Sequence, residues 1–170
     1  VVARNQRERL VAAMAEVCAE RSYAEMSVAE AAKRAGVSTV TFYKQFADKR
    51  DCMLAAHRQL LGRLLEEVDR AREAESAGEA KRLATLRSML ALLAADPPSA
   101  RLLSIEILAV GEEGLKCHDA AVEAFAERLG ADWVIAAGIL ALIGKRVIAG
   151  EADRLPALEG DLATALSTQS

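Results

Sequence analysis

One stretch decides the reading of this chain: Ser27-Val28-Ala29-Glu30-Ala31-Ala32-Lys33-Arg34-Ala35-Gly36-Val37-Ser38-Thr39-Val40-Thr41-Phe42-Tyr43-Lys44-Gln45-Phe46-Ala47-Asp48-Lys49-Arg50-Asp51. Ser27 with Glu30 three residues later is a capping box, which predicts a helix from Val28 to Ala35. Gly36 stops it, as a glycine in the left-handed conformation commonly does. Ser38 or Thr39 caps a third short helix running to about Phe46, and Asp48 begins a much longer fourth one through His57, Leu61, Leu64 and Val68. Upstream, Leu10, Ala13, Met14, Val17 and Cys18 recur at helical spacing, so residues from about 4 to 21 read as an amphipathic first helix, followed by a link, Ser22 to Met26. Two short helices around a glycine turn make a helix-turn-helix. Ala31 and Ala32 let those helices cross closely, and Val37 plugs the gap between them.

A helical wheel sorts the third helix. Phe42 and Phe46 share the core side, whereas Val40, Tyr43 and Lys44 cluster on the face roughly opposite. Water rewards neither Val nor Tyr there, but a major groove gives each a partner. Val can touch a thymine methyl, Lys can reach a guanine edge or phosphate, and the Tyr and Thr hydroxyls can bond phosphate oxygens. The start of the fourth helix, at Lys49, offers backbone N–H groups and an ammonium to a further phosphate.

Over roughly residues 7 to 57 the chain closely resembles the DNA-binding domain of the tetracycline-repressor (TetR) family of bacterial transcriptional regulators. The Gly36-Val37-Ser38, Phe42-Tyr43-x-x-Phe46 and Asp48-Lys49 elements sit at family spacing. The resemblance implies that Ser27, Tyr43 and Lys49 hold phosphates, and that Ser38, Thr39, Val40, Thr41 and Lys44 face the groove. Val40 stands where the family more often has a small residue or Pro.

Composition agrees with an all-α chain. Ala and Leu supply 58 of the 170 residues, aromatic residues only 4%, and there are 3 Pro. That usage favours helix by intrinsic propensity and excludes a β-sandwich or barrel. The net charge of −3 hides an asymmetry: residues 1–57 carry 9 Lys/Arg against 7 Asp/Glu, a mildly basic head on an acidic body. Three widely spaced cysteines, Cys18, Cys52 and Cys117, argue against a disulfide framework and fit a reducing compartment. No signal peptide is read at the start, and the longest apolar run, Trp133 to Gly144, falls short of a membrane span. A cytoplasmic location and no membrane partner are therefore expected.

The expected division is a helix-turn-helix domain over residues 1–50 and a helical effector-binding and dimerisation domain over 51–170. In the body, helices are predicted for Lys81 to Ala95, Ser99 to Val110, Leu115 to Leu129, Ala131 to Ala149 and Leu155 to Leu166, with Gly111 and Gly114 bracketing a turn. The helix from Ala131 to Ala149 is apolar nearly all round, as a helix buried on more than one side would be. The family resemblance implies that it joins the last helix in a dimer interface, for which Ala137, Ile139, Leu140, Ile143, Gly144, Val147, Leu158 and Leu162 are the candidates. Dimerisation has an independent motive, since two half-sites a helical turn apart add avidity and read a palindrome. The resemblance also implies a pocket for a small apolar or amphipathic effector, with Met89, Leu93, Leu103, Ile107, Phe125 and Trp133 as lining and Cys117 and His118 as polar handles.

Nothing points to catalysis, a metal or a cofactor. The only histidines are His57 and His118, neighbouring Cys117 and His118 diverge by about 100° on a helix, and no HExxH, Walker, dinucleotide or GxSxG motif occurs. The expected function is a sequence-specific DNA-binding regulator, a ligand-responsive repressor acting as a homodimer on a palindromic operator in double-stranded DNA. The alternative is a helical interaction module or an architectural DNA binder without an effector.

Overall fold

The computed structural model describes residues 2–76 and 78–167 and is all-α over them. Its helices are α1 (Val2–Glu25), α2 (Val28–Arg34), α3 (Thr39–Gln45), α4 (Lys49–Glu73), α5 (Gly78–Ala95), α6 (Pro97–Ser104), α7 (Glu112–Leu129), α8 (Trp133–Ile148) and α9 (Glu159–Ser167), with 3₁₀ turns at Glu106–Val110 and Ala152–Leu158. No helix among the described residues is long and apolar enough to cross a membrane.

The helix starts obey the capping chemistry written in the sequence. Ser27 Oγ accepts from the Glu30 amide while Glu30 reaches back to the Ser27 amide at 2.8 Å, completing the box. Ser38 caps α3, Asp48 caps α4 and Asp96 caps α6 ahead of Pro97. Gly36 turns with φ +64°, a region costly for any side chain.

Three expectations need correction. Ser99 to Val110 is not one helix: α6 ends at Ser104, Ile105 leaves helical geometry (φ −130°, ψ −60°), and a 3₁₀ turn follows that carries Glu106 into the interior. Gly114 lies not in a turn but inside the first turn of α7, pressed so hard on the Ile107 carbonyl that a Cβ would sit 2.0 Å from its oxygen. The closing segment is split as well, since Pro156 has no amide to donate and a 3₁₀ turn precedes α9.

Two apolar cores result. The body core gathers α5, α7 and α8 around Leu86, Met89, Leu90, Phe125 and Ile143, with the distal part of α4. The head core packs Leu10, Met14 and Cys18 of α1 against Phe42 and Phe46 of α3 and Cys52, Met53 and Ala56 of α4. Leu102 of α6 and Ile107 of the first 3₁₀ turn also belong to the head core, so body elements close its underside.

Candidate nucleic-acid interface and effector cavity

The recognition surface is built from the inside outwards. Phe42 and Phe46 are buried, their ring centroids 5.7 Å apart, and they lock α3 against α1. With that face fixed, the opposite one must point to solvent: Val40 is 64% and Tyr43 59% exposed, and Thr39 and Lys44 are exposed beside them. Among the described residues Lys44 makes no ion pair, so its charge is available. Ser38 lies at the edge of this face, its hydroxyl accepting from the Thr41 amide at 3.1 Å and lying 3.0 Å from the half-buried Thr41 hydroxyl. Ser27 is exposed, but its hydroxyl is spent on Glu30, whose carboxyl is held below its ordinary range by the Ser27 hydroxyl and then the Ser27 amide.

Lys49 is engaged within the fold. Its ammonium donates to the carbonyls of Tyr23 (3.0 Å) and Met26 (3.2 Å) and lies 4.7 Å from the Tyr23 ring centroid. The start of α4 offers an anion little in its place. Asp48 accepts from the Asp51 amide at 2.8 Å, and Asp51 accepts from the Ala47 amide at 3.1 Å, so two carboxylates occupy it. The fourth helix thus clamps the end of α1.

Two arginines that sequence reasoning missed hold the motif in place. Arg7 donates to the Gln45 carbonyl at 2.7 Å and lies 4.1 Å from the Phe46 ring centroid. Arg9 donates to the Ala35 and Gly36 carbonyls. Each thereby caps the C-terminal end of a motif helix, where a cation is favoured by the helix dipole. Their position on α1, away from α2 and α3 in sequence, gave no local signal for this.

The effector candidates are dispersed more widely than expected. Leu93, Leu103 and Phe125 do meet, with Leu61, Leu140 and Ile143, around an internal cavity of about 20 Å³, room for roughly one water molecule. Met89 is buried in the same core but away from that cavity. Ile107 belongs to the head core, Cys117 packs against that core, and His118 is half-buried with Nδ1 3.8 Å from Asp119. Trp133 is on the surface, at the first turn of α8. A feature not foreseen lies outside the cavity. A groove of about 210 Å³ between α4, α5 and α6 has a floor of Leu60, Leu92 and Leu93 and a rim that includes Arg63, Glu67 and Asp96. Leu64, Leu93 and Leu103 border both spaces.

The interface candidates also need correction. Ile139, Leu140, Ile143, Gly144 and Val147 face the chain's own core, as do Leu158 and Leu162. Gly144 touches α6, where a Cβ would come 3.3 Å from Ile105. Only Ala137 of the proposed set is partly exposed. The open side of α8 is the stripe Val134, Gly138, Ala141, Lys145 and Ile148, in which Val134 is 74% exposed. Its spacing of three to four residues was legible beforehand, but a helix apolar all round hides which stripe is covered from within.

The two buried thiols are inert. Burial pushes the thiols of Cys18 and Cys52 up to about 12, so both stay protonated. No cluster of three or more His, Cys, Asp or Glu that could hold a metal occurs among the described residues.

Residues 10–56 match the family model described as bacterial regulatory proteins, tetR family. The chain is 26% identical over 99 residues to the fatty acid metabolism regulator protein of Bacillus subtilis (strain 168); the match covers 58% of this chain and 51% of that relative, about half its length. Among solved structures it is similar to the fatty acid degradation regulator FadR from Bacillus halodurans, with TM-score 0.82 and 20% identity over 95% of this chain and 94% of that one. FadR from Bacillus subtilis in complex with stearoyl-CoA gives TM-score 0.81 and 20% identity over 94% and 96%. At those identities the likeness establishes the fold.

Proposed function

From the match of residues 10–56 to the tetR-family model, we propose that this chain is a sequence-specific transcriptional regulator, a homodimer that binds a palindromic operator and responds to a small amphipathic ligand. The observation that carries the reading is the outward face of α3, where Val40 and Tyr43 are exposed beside Lys44 on a helix anchored by two buried phenylalanines. Val40, Thr39 and Lys44 read base edges, and the Tyr43 and Ser38 hydroxyls bond phosphates. The exposed stripe of α8 supports self-association, because its small residues Ala137, Gly138 and Ala141 admit a second helix closely while Val134 and Ile148 supply apolar area.

A ligand with a long apolar tail and an anionic head fits the groove and cavity. Its tail would part Leu64, Leu93 and Leu103 and continue inward, and Arg63 would meet the head at the rim. The stearoyl-CoA of the FadR structure has that chemistry. Entry requires α6 to draw away from α5, and linkage demands that operator and ligand weaken each other by one factor.

The test is selection of bound fragments from random duplex DNA at ~150 mM salt, followed by titration of the operator complex with stearoyl-CoA. A palindrome whose complex dissociates with added stearoyl-CoA is the expected result. Failure to enrich any sequence, with the dimer confirmed by sedimentation, would overturn the regulator reading and favour an interaction module.

A further inference from the structure

We propose that Glu106 couples the state of the effector cavity to the DNA-binding head through its hydrogen bond to the Tyr23 amide; the ligand-triggered part of this rests on the reading above. Glu106 is 4% exposed and is the one buried carboxylate among the described residues. Burying a carboxylate is costly unless its oxygens are engaged, and both are. One accepts from the Tyr23 N–H at 2.7 Å, across 83 residues of chain, and the other from Arg101 Nε at 2.8 Å.

The Tyr23 amide is available only because the backbone breaks just before it. Ser22 has φ 68° and ψ 159°, far from helical values and unusual for a residue with a side chain. An unbroken helix would spend that N–H on the carbonyl four residues back. It points instead at Glu106, while the carbonyl of the same residue accepts from Lys49 of α4. Tyr23 is therefore held on its N–H side by the body and on its C=O side by the head.

The other end of the connection is the cavity wall. Ala100, Leu103 and Ser104 of α6 line the cavity, and Arg101, on the same helix, holds Glu106. A ligand that draws α6 away from α5 carries Arg101 and Glu106 with it, and the end of α1 must follow. Leu102 and Ile107 also touch the head core, but apolar contacts slide, whereas a charge-assisted hydrogen bond of fixed length transmits direction.

The test compares wild type with Glu106→Gln, which keeps the shape and removes the charge, and with Glu106→Met should the first fail to fold. Operator affinity is measured with and without saturating stearoyl-CoA, and stearoyl-CoA binding is measured directly. In wild type the probe should lower operator affinity at least about tenfold. In Glu106→Gln probe binding should be unchanged and the operator response should shrink to less than about threefold. A variant that binds the probe and keeps the full wild-type response overturns the proposal. A second arm needs no ligand: Ala121→Val overfills the cavity from α7, and its effect on operator affinity is measured in the wild-type and Glu106→Gln backgrounds. Non-additivity beyond about threefold supports the coupling, and simple additivity overturns it. A wild type indifferent to stearoyl-CoA with a non-additive cycle removes the acyl-ligand reading and leaves the coupling standing.

Discussion

The ammonium of Lys49 lies 3.0 Å from the carbonyl oxygen of Tyr23, joining the first turn of α4 to the end of α1. A lysine that resembles a phosphate ligand by position thus serves backbone carbonyls within the fold. Lys49→Met should lower stability to urea by about 1–3 kcal/mol, the cost of stranding the carbonyls it serves. The slope of log operator affinity against log salt should not move. A slope shallower by about 0.9 would return the ammonium to a phosphate.

Tyr43 and Lys44 should behave differently from Lys49 and from each other. Tyr43→Phe removes one neutral hydrogen bond, so affinity should fall by about 1 kcal/mol for every sequence, with the salt slope intact. Lys44→Ala should relax base preference, as read by repeating the selection from random DNA. An unchanged preference would place readout on Thr39 and Val40.

Val134→Asp and Ile139→Asp separate the two sides of α8. The first puts a charge on the open stripe and should give folded monomers with weakened operator binding, measured by sedimentation and fluorescence anisotropy. The second buries an unpaired carboxylate in the core and should lose cooperative thermal unfolding altogether. A Val134→Asp dimer of wild-type strength would move the interface elsewhere.

His57 makes stability depend on pH. The ring is 1% exposed and neither nitrogen has a hydrogen-bond partner among the described residues. Burial pushes its pKa down to about 4, and the nearby His118 and Arg58 charges act in the same direction. The folded state therefore binds the proton less readily than the unfolded chain, whose His titrates near 6.5. Stability is fully present above about pH 6.5 and falls as the pH drops towards 4, by up to about 3 kcal/mol. Urea midpoints at pH 7 and pH 5 should differ in wild type, and His57→Leu should flatten that difference.

Legibility from sequence followed the range of the interactions. The capping box at Ser27, the Gly36 turn and the Phe42 and Phe46 anchors are local, and each stands where the spacing placed it. The break after Ser104 goes with Glu106 bonding a partner 83 residues away, which no window of sequence contains. Which side of α8 is covered was illegible because Ile139 and Val134 are equally apolar, and only the position of α6 and α7 decides between them. The carbonyl contacts of Lys49 were hidden for a similar reason, since every residue carries a carbonyl alike.

Leu102 and Ile107 close the underside of the head core from elements that lie some fifty residues further along the chain. The reader of DNA is accordingly no detachable cassette. Cut after the first turns of α4, it would bare to water the side of α1 on which α6 and the 3₁₀ turn pack, and arrive incomplete. Grafted onto a foreign sensor, it would need that sensor to bring its own counterparts of these two side chains. Chimaeras of this chain should therefore be spliced within the α5–α9 shell, with α6 and its following turn inherited together with the head.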